Sequence, residues 1–124
     1  MLSDDDLYEE FCVEIIELVE GIEDALMQVE KNLNLWPQKE NDVLRDLHSI
    51  KGACGMFGIL EIEKCIHAIE TEYKNSGMSN SLVNQILNIT PLILDRLNNE
   101  NLGEQYPNLI KEYSFKSKSY KYIN

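Results

Sequence analysis

Residues 43–58 read Val43-Leu-Arg-Asp-Leu-His-Ser-Ile-Lys-Gly-Ala-Cys-Gly-Met-Phe-Gly58. Val43, Leu47, Ile50, Cys54 and Phe57 recur in it at steps of 4, 3, 4 and 3, the apolar face of an α-helix. The spacing predicts a helix over Asn41 to Phe57. Gly58 is placed to stop it, since glycine enters the left-handed conformation of a helix C-terminus without steric cost. Two residues do not suit a plain packing helix: Gly52 and Gly55 lie in its interior, where glycine costs about 1 kcal/mol relative to alanine. At about 100° per residue, Leu44, His48, Lys51, Gly52 and Gly55 form a stripe about 80° to 180° from the core direction. Neither glycine is central to the core, so both are read as room for an approaching partner.

Moving outward, the same helical period recurs on both sides. Leu7, Phe11, Ile15, Leu18, Ile22, Leu26, Val29 and Leu33 predict a long first helix, with Ser3 as its cap and three aspartates at the positive end of its dipole. Asn34 to Lys39, containing Trp36-Pro37, reads as a connector. After Gly58, Ile62, Ile66, Ile69 and Tyr73 predict a helix over Leu60 to Lys74, broken by Asn75, Ser76 and Gly77. A further helix fits Ser81 to Asn99, with Pro91 expected to kink or divide it. Nothing reads as a strand. Short connections between amphipathic helices imply an all-α fold, an antiparallel up-down four-helix bundle, with a short fifth C-terminal helix over Glu104 to Tyr113. Residues 1–113 would form the bundle domain and residues 114–124 a basic, aromatic tail.

The chain has 124 residues and a formal charge of -11. Its first thirty residues contain Asp4, Asp5, Asp6, Glu9, Glu10, Glu14, Glu17, Glu20, Glu23, Asp24 and Glu30 and no Lys or Arg. Such a protein does not neutralise phosphates along a nucleic-acid backbone, so nucleic acid is not an expected partner. No apolar run reaches the ~18 residues needed to cross a bilayer, and the N-terminus lacks the positive charge of a secretory signal. No membrane association is expected, and a cytoplasmic monomer is. Cys12, Cys54 and Cys65 contain no C-x-x-C pair and are read as small hydrophobes rather than a disulfide framework or zinc site.

On the third helix, Glu63, His67, Glu70 and Lys74 fall about 80° to 140° from the core, on a flank of the same rotational sense as the His48 stripe. Same-sense flanks of antiparallel helices lie either along one shared seam or on two outer ones, and wheel arithmetic does not choose between them. With a turn near Gly58 and Ile59, His48 and Glu70 would be almost level. One seam would then collect His48, Lys51, His67 and Glu70.

His48-Ser-Ile-Lys51-Gly52-Ala-Cys-Gly55-Met-Phe-Gly58 resembles the H-x-x-K-G signature, with its following glycines, of histidine phosphotransfer (HPt) domains. His67 and Glu70 make it most similar to the N-terminal phosphotransfer domain of CheA-type chemotaxis kinases. The resemblance runs from Leu7 through the fourth helix and into the fifth. It implies that His48 carries a phosphoryl group, that Lys51 favours its negative charge, and that Glu70 and His67 hold the imidazole. It also implies a response-regulator receiver domain as acceptor and a histidine kinase core as donor, the receiver bringing the aspartate, Mg²⁺ and a lysine. No cofactor or metal is implied on this chain. Leu44, Gly52, Gly55 and Met56 would form the docking surface. Ala53, Cys54 and Met56 depart from the small or hydroxyl residues common there, and a Gly-rich nucleotide loop is lacking, so self-phosphorylation from ATP is not expected.

Two rivals belong to other classes. A di-metal bundle wants two Glu-x-x-His pairs and further glutamates, whereas this chain has one His67-x-x-Glu70 and a cation, Lys51, beside His48. A helical adaptor or inhibitor of the same fold would dock on a receiver or kinase without carrying phosphate.

Overall fold

The computed structural model describes residues 4–99. They form four α-helices and no strand: α1 (Asp4–Lys31), α2 (Trp36–Met56), α3 (Leu60–Ser76) and α4 (Asn80–Asn99), with a short 3-10 helix at Leu33–Leu35 between the first two. The described residues thus form an all-helical bundle, as their periodicity implies. The Ser3 cap, the helix expected over Glu104 to Tyr113 and the tail at 114–124 lie outside the described residues.

The core is the sum of the apolar stripes. Phe11, Ile15, Ile22, Leu26 and Val29 of α1 are buried together with Val43, Leu47, Ile50 and Cys54 of α2, Ile62, Ile66 and Ile69 of α3, and Leu82, Ile86, Ile93 and Leu97 of α4. Cys12, Ile16 and Val19 widen the α1 stripe, as a globular helix requires a broader face than a two-stranded seam. That rotation leaves Leu7 exposed, and Leu33, in the 3-10 turn, is exposed as well. Both had been expected on the core face.

Boundaries follow local chemistry. At the end of α2, Gly58 adopts φ +74. Its amide donates to the Gly55 carbonyl at 3.2 Å, and that of Ile59 donates to Cys54 at 2.9 Å. This pair of bonds is the Schellman arrangement, closed by buried Ile59 against Cys54. Ser79 Oγ accepts from the Leu82 amide at 3.1 Å and so caps α4 one residue earlier than expected.

One expectation is corrected and another is narrowed. Residues 34–39 are not a connector throughout, because α2 begins at Trp36 and carries Pro37 in its first turn. There an absent amide hydrogen removes no helical bond. Trp36 is buried, and its indole donates to the Tyr73 hydroxyl at 3.2 Å; that hydroxyl in turn donates to Glu40. Nor does Pro91 divide the last helix, which is continuous across it. Thr90, fully buried beside it, donates its hydroxyl to Glu23 Oε2 of α1 at 2.7 Å, tying α4 to α1 at the level of the missing amide.

Around the bundle, Phe11 of α1 stacks on Phe57 beyond α2, with ring centroids 4.3 Å apart. Arg96 of α4 pairs with Glu61 of α3. The Arg96 hydrogen bond holds the Glu61 carboxyl below its usual range.

Candidate functional site

The site lies on the seam between α2 and α3. Of the two arrangements open to same-sense flanks, the structure takes the shared one. Glu70 reaches from α3 toward α2, where its two oxygens are divided between two side chains. Oε2 lies 3.4 Å from His48 Nδ1, and Oε1 accepts from Lys51 Nζ at 2.6 Å. His48 and Lys51 are three residues apart, hence neighbours on one helical face, and one carboxylate spans both.

Exposure differs sharply within this trio. The His48 side chain is 72% exposed, against 22% for Lys51 and 26% for Glu70. The ring therefore stands proud of a half-buried ion pair. With Nδ1 turned to the carboxylate, Nε2 is the nitrogen left for chemistry, and a neutral ring in this pose donates its Nδ1–H to Glu70. A carboxylate so placed fixes the tautomer and the orientation of the ring. Lys51 holds that carboxylate and keeps a positive charge one turn from the ring.

The remaining predicted residues fall into three groups. His67 is exposed, and its ring makes no hydrogen bond or ion pair among the described residues; the structure does not bring it onto His48 or Glu70. Leu44 is half-buried and packs on the core, while Met56 is 85% exposed at the end of α2. The glycines differ from each other. A Cβ placed on Gly52 would meet nothing within 4 Å, so the surface one turn from His48 is open. A Cβ on Gly55 would stand 2.6 Å from Glu63 Oε2, so that space is filled from α3.

Glu63 is the neighbour for which sequence reasoning assigned no role. Its signal was present in the shared flank with His67 and Glu70, but its reach across to Gly55 needs coordinates.

Away from the seam, Cys12 and Cys54 are completely buried, and Cys65 is exposed. Burial, helped by a neighbour, Cys54 for the first and Glu63 for the second, pushes the Cys12 and Cys54 thiols up to about 12. They are inert as nucleophiles near neutrality. Among the described residues no three His, Cys, Asp or Glu side chains gather as a metal ion would need. No described helix is long and apolar enough to cross a membrane.

A model of one protein family, the Hpt domain, matches residues 6–100. No curated protein and no solved structure matches the chain.

Proposed function

The chain belongs to the Hpt domain family, and from that membership we propose that it is a phosphorelay intermediate that accepts a phosphoryl group on His48 and passes it to an aspartate of a receiver domain. The observation that carries this reading is the Glu70 carboxylate shared between His48 Nδ1 and Lys51 Nζ, beside the open surface at Gly52.

In the proposed step the neutral ring attacks through Nε2. An N–P bond forms there as the bond between phosphorus and the donor oxygen breaks, and the donor carboxylate leaves with the electron pair. Glu70 holds the Nδ1 proton throughout and balances the positive charge that the ring acquires. Lys51 limits that stabilisation by occupying the other oxygen, and its ammonium lies near the incoming negative charge. Transfer onward to a receiver aspartate reverses the same bond changes. Phosphoryl transfer of this kind proceeds through a loose, in-line transition state, so placement and charge do most of the work. An exposed ring on a rigid helix with clear space beside it meets that requirement.

The finer assignments belong to the same proposal: an antiparallel up-down order of the helices, and a role either as a free-standing relay or as a CheA-like substrate of a separate kinase core. His67 has no part in holding the ring in this pose, and we assign it none.

Purified protein and His48→Gln, offered to phosphorylated receiver domains and separately to CheA-type kinase cores with ATP, test the proposal by intact mass. Label on the wild type alone, stable in base and labile in acid, is the expected result. Absence of label from every donor, while the same preparations label a known phosphotransfer domain, would overturn it in favour of a docking adaptor.

A further inference from the structure

Glu63 stands on α3 two turns before Glu70, and its side chain crosses the seam to α2. Its Oε2 lies where a Cβ on Gly55 would come within 2.6 Å, so the carboxylate rests against bare helix backbone. Any larger residue at 55 would push it away. It is half-buried, and among the described residues the carboxylate has no hydrogen bond and no ion pair. Glu70 stands in contrast, with both oxygens engaged by His48 and Lys51. The seam therefore holds one carboxylate whose charge is balanced within the protein and one whose charge is not.

The second lies on the path of an approaching partner. Gly55 follows His48 by seven residues, two helical turns, which puts it on the same stripe and roughly 10 Å along the axis. A standard interface covers roughly 800 Å² on each partner, equivalent to a disc of roughly 16 Å radius. Any protein that brings an aspartate onto His48 Nε2 thus also covers Glu63. Exposed Met56, adjacent to Gly55, supplies an apolar contact at the same edge. A carboxylate covered by a partner without a cation opposite is penalised, whereas one met by a cation gains both attraction and faster encounter.

We propose that Glu63, seated on Gly55, is a specificity-determining docking residue, selecting receiver domains that present a Lys or Arg opposite it and disfavouring those that present Asp or Glu. This inference rests on the phosphotransfer reading and names the charge of the partner surface.

The test separates chemistry from docking. Wild type, Glu63→Gln and Glu63→Lys are phosphorylated with phosphoramidate, a small donor that needs no docking and whose P–N bond breaks as the new one forms. Each is then mixed with a panel of receiver domains, and kcat/KM for transfer is measured at low and high salt. All three should label equally. Against receivers that the wild type serves, Glu63→Gln should lose roughly fivefold and Glu63→Lys roughly tenfold or more, with a flatter salt dependence. Glu63→Lys should recover transfer to a receiver whose facing Lys or Arg has been changed to Glu. Equal kcat/KM for all three across the panel and at both salt concentrations would overturn the docking role and leave the phosphotransfer reading intact. Failure of the wild type to label on His48 at all would instead remove the phosphotransfer reading, and this inference with it.

Discussion

Gly52→Ala separates stability from function in this fold. The glycine is exposed on the solvent side of α2, and a Cβ built on it has no heavy atom within 4 Å. Alanine is favoured over glycine in a helix interior by about 0.8 to 1 kcal/mol. With no clash to subtract, the variant should be more stable by about that amount, raising Tm by about 3 to 4 °C for a domain of this size. The same methyl group would stand one turn from the His48 ring, where the partner must close for in-line transfer. Reacting atoms need to approach to about 3 to 3.5 Å, and a misplacement of about 1 Å can cost about 100-fold. A loss of tenfold or more in transfer to a receiver domain is therefore expected, with unchanged labelling by phosphoramidate. Thermal melting by circular dichroism and single-turnover transfer, run on the same preparation, measure the two quantities. A variant that melts higher yet transfers at the wild-type rate would refute the reading of Gly52 as partner space. One that melts lower would refute the open geometry itself.

Glu70→Gln removes the charge that orients His48 and frees Lys51, and should slow labelling of His48 by about 10- to 100-fold, the usual cost of losing an orienting carboxylate; rapid-quench labelling measures it. Thr90→Val deletes the buried hydroxyl that donates to Glu23 and should cost about 1 to 3 kcal/mol, against a much smaller loss for Thr90→Ser, both read from urea midpoints. In the native protein iodoacetamide should modify Cys65 alone, because Cys12 and Cys54 are buried with thiols raised to about 12. Since that value exceeds their ordinary 9.0, folding favours the neutral thiols. Their contribution to stability is complete below about pH 9.0 and is lost as pH rises toward about 12, which urea midpoints across that range should show.

Most of the fold was legible because its helices are amphipathic with an unbroken period. The stripes through Ile15, Leu47 and Ile66 are buried where the steps of three and four put them. Proline marks the limit of that legibility. Pro37 reads as part of a connector, yet it sits where a helix has no amide bond to lose; Pro91 reads as a kink or a division, and it lies inside a continuous α4, next to the Thr90–Glu23 contact. At Pro37 the first-turn position decides, and at Pro91 tertiary packing overrides the propensity of the isolated chain.

The candidate site was legible in composition but not in arrangement. Periodicity put His48, Lys51 and Glu70 on flanks at matching height, but the angle alone left two seams open. Only the packing of α3 on α2 places Glu70 between His48 and Lys51. His67, at the same helical spacing, faces solvent without joining them. The two interior glycines looked alike in sequence and differ in space, since one is open and the other is filled by a side chain from the next helix. Such contacts between elements are set by side-chain reach, which no single-helix pattern contains.

The most direct test of the account is to locate the phosphoryl group. Wild type and His48→Gln would be incubated with phosphoramidate under native conditions, digested at neutral or basic pH to spare acid-labile groups, and sequenced by mass spectrometry. The account predicts one phosphoryl group on His48 of the wild type, chased off by an unphosphorylated receiver domain, and none on the variant. A group found on His67, or label that persists in His48→Gln, would contradict it.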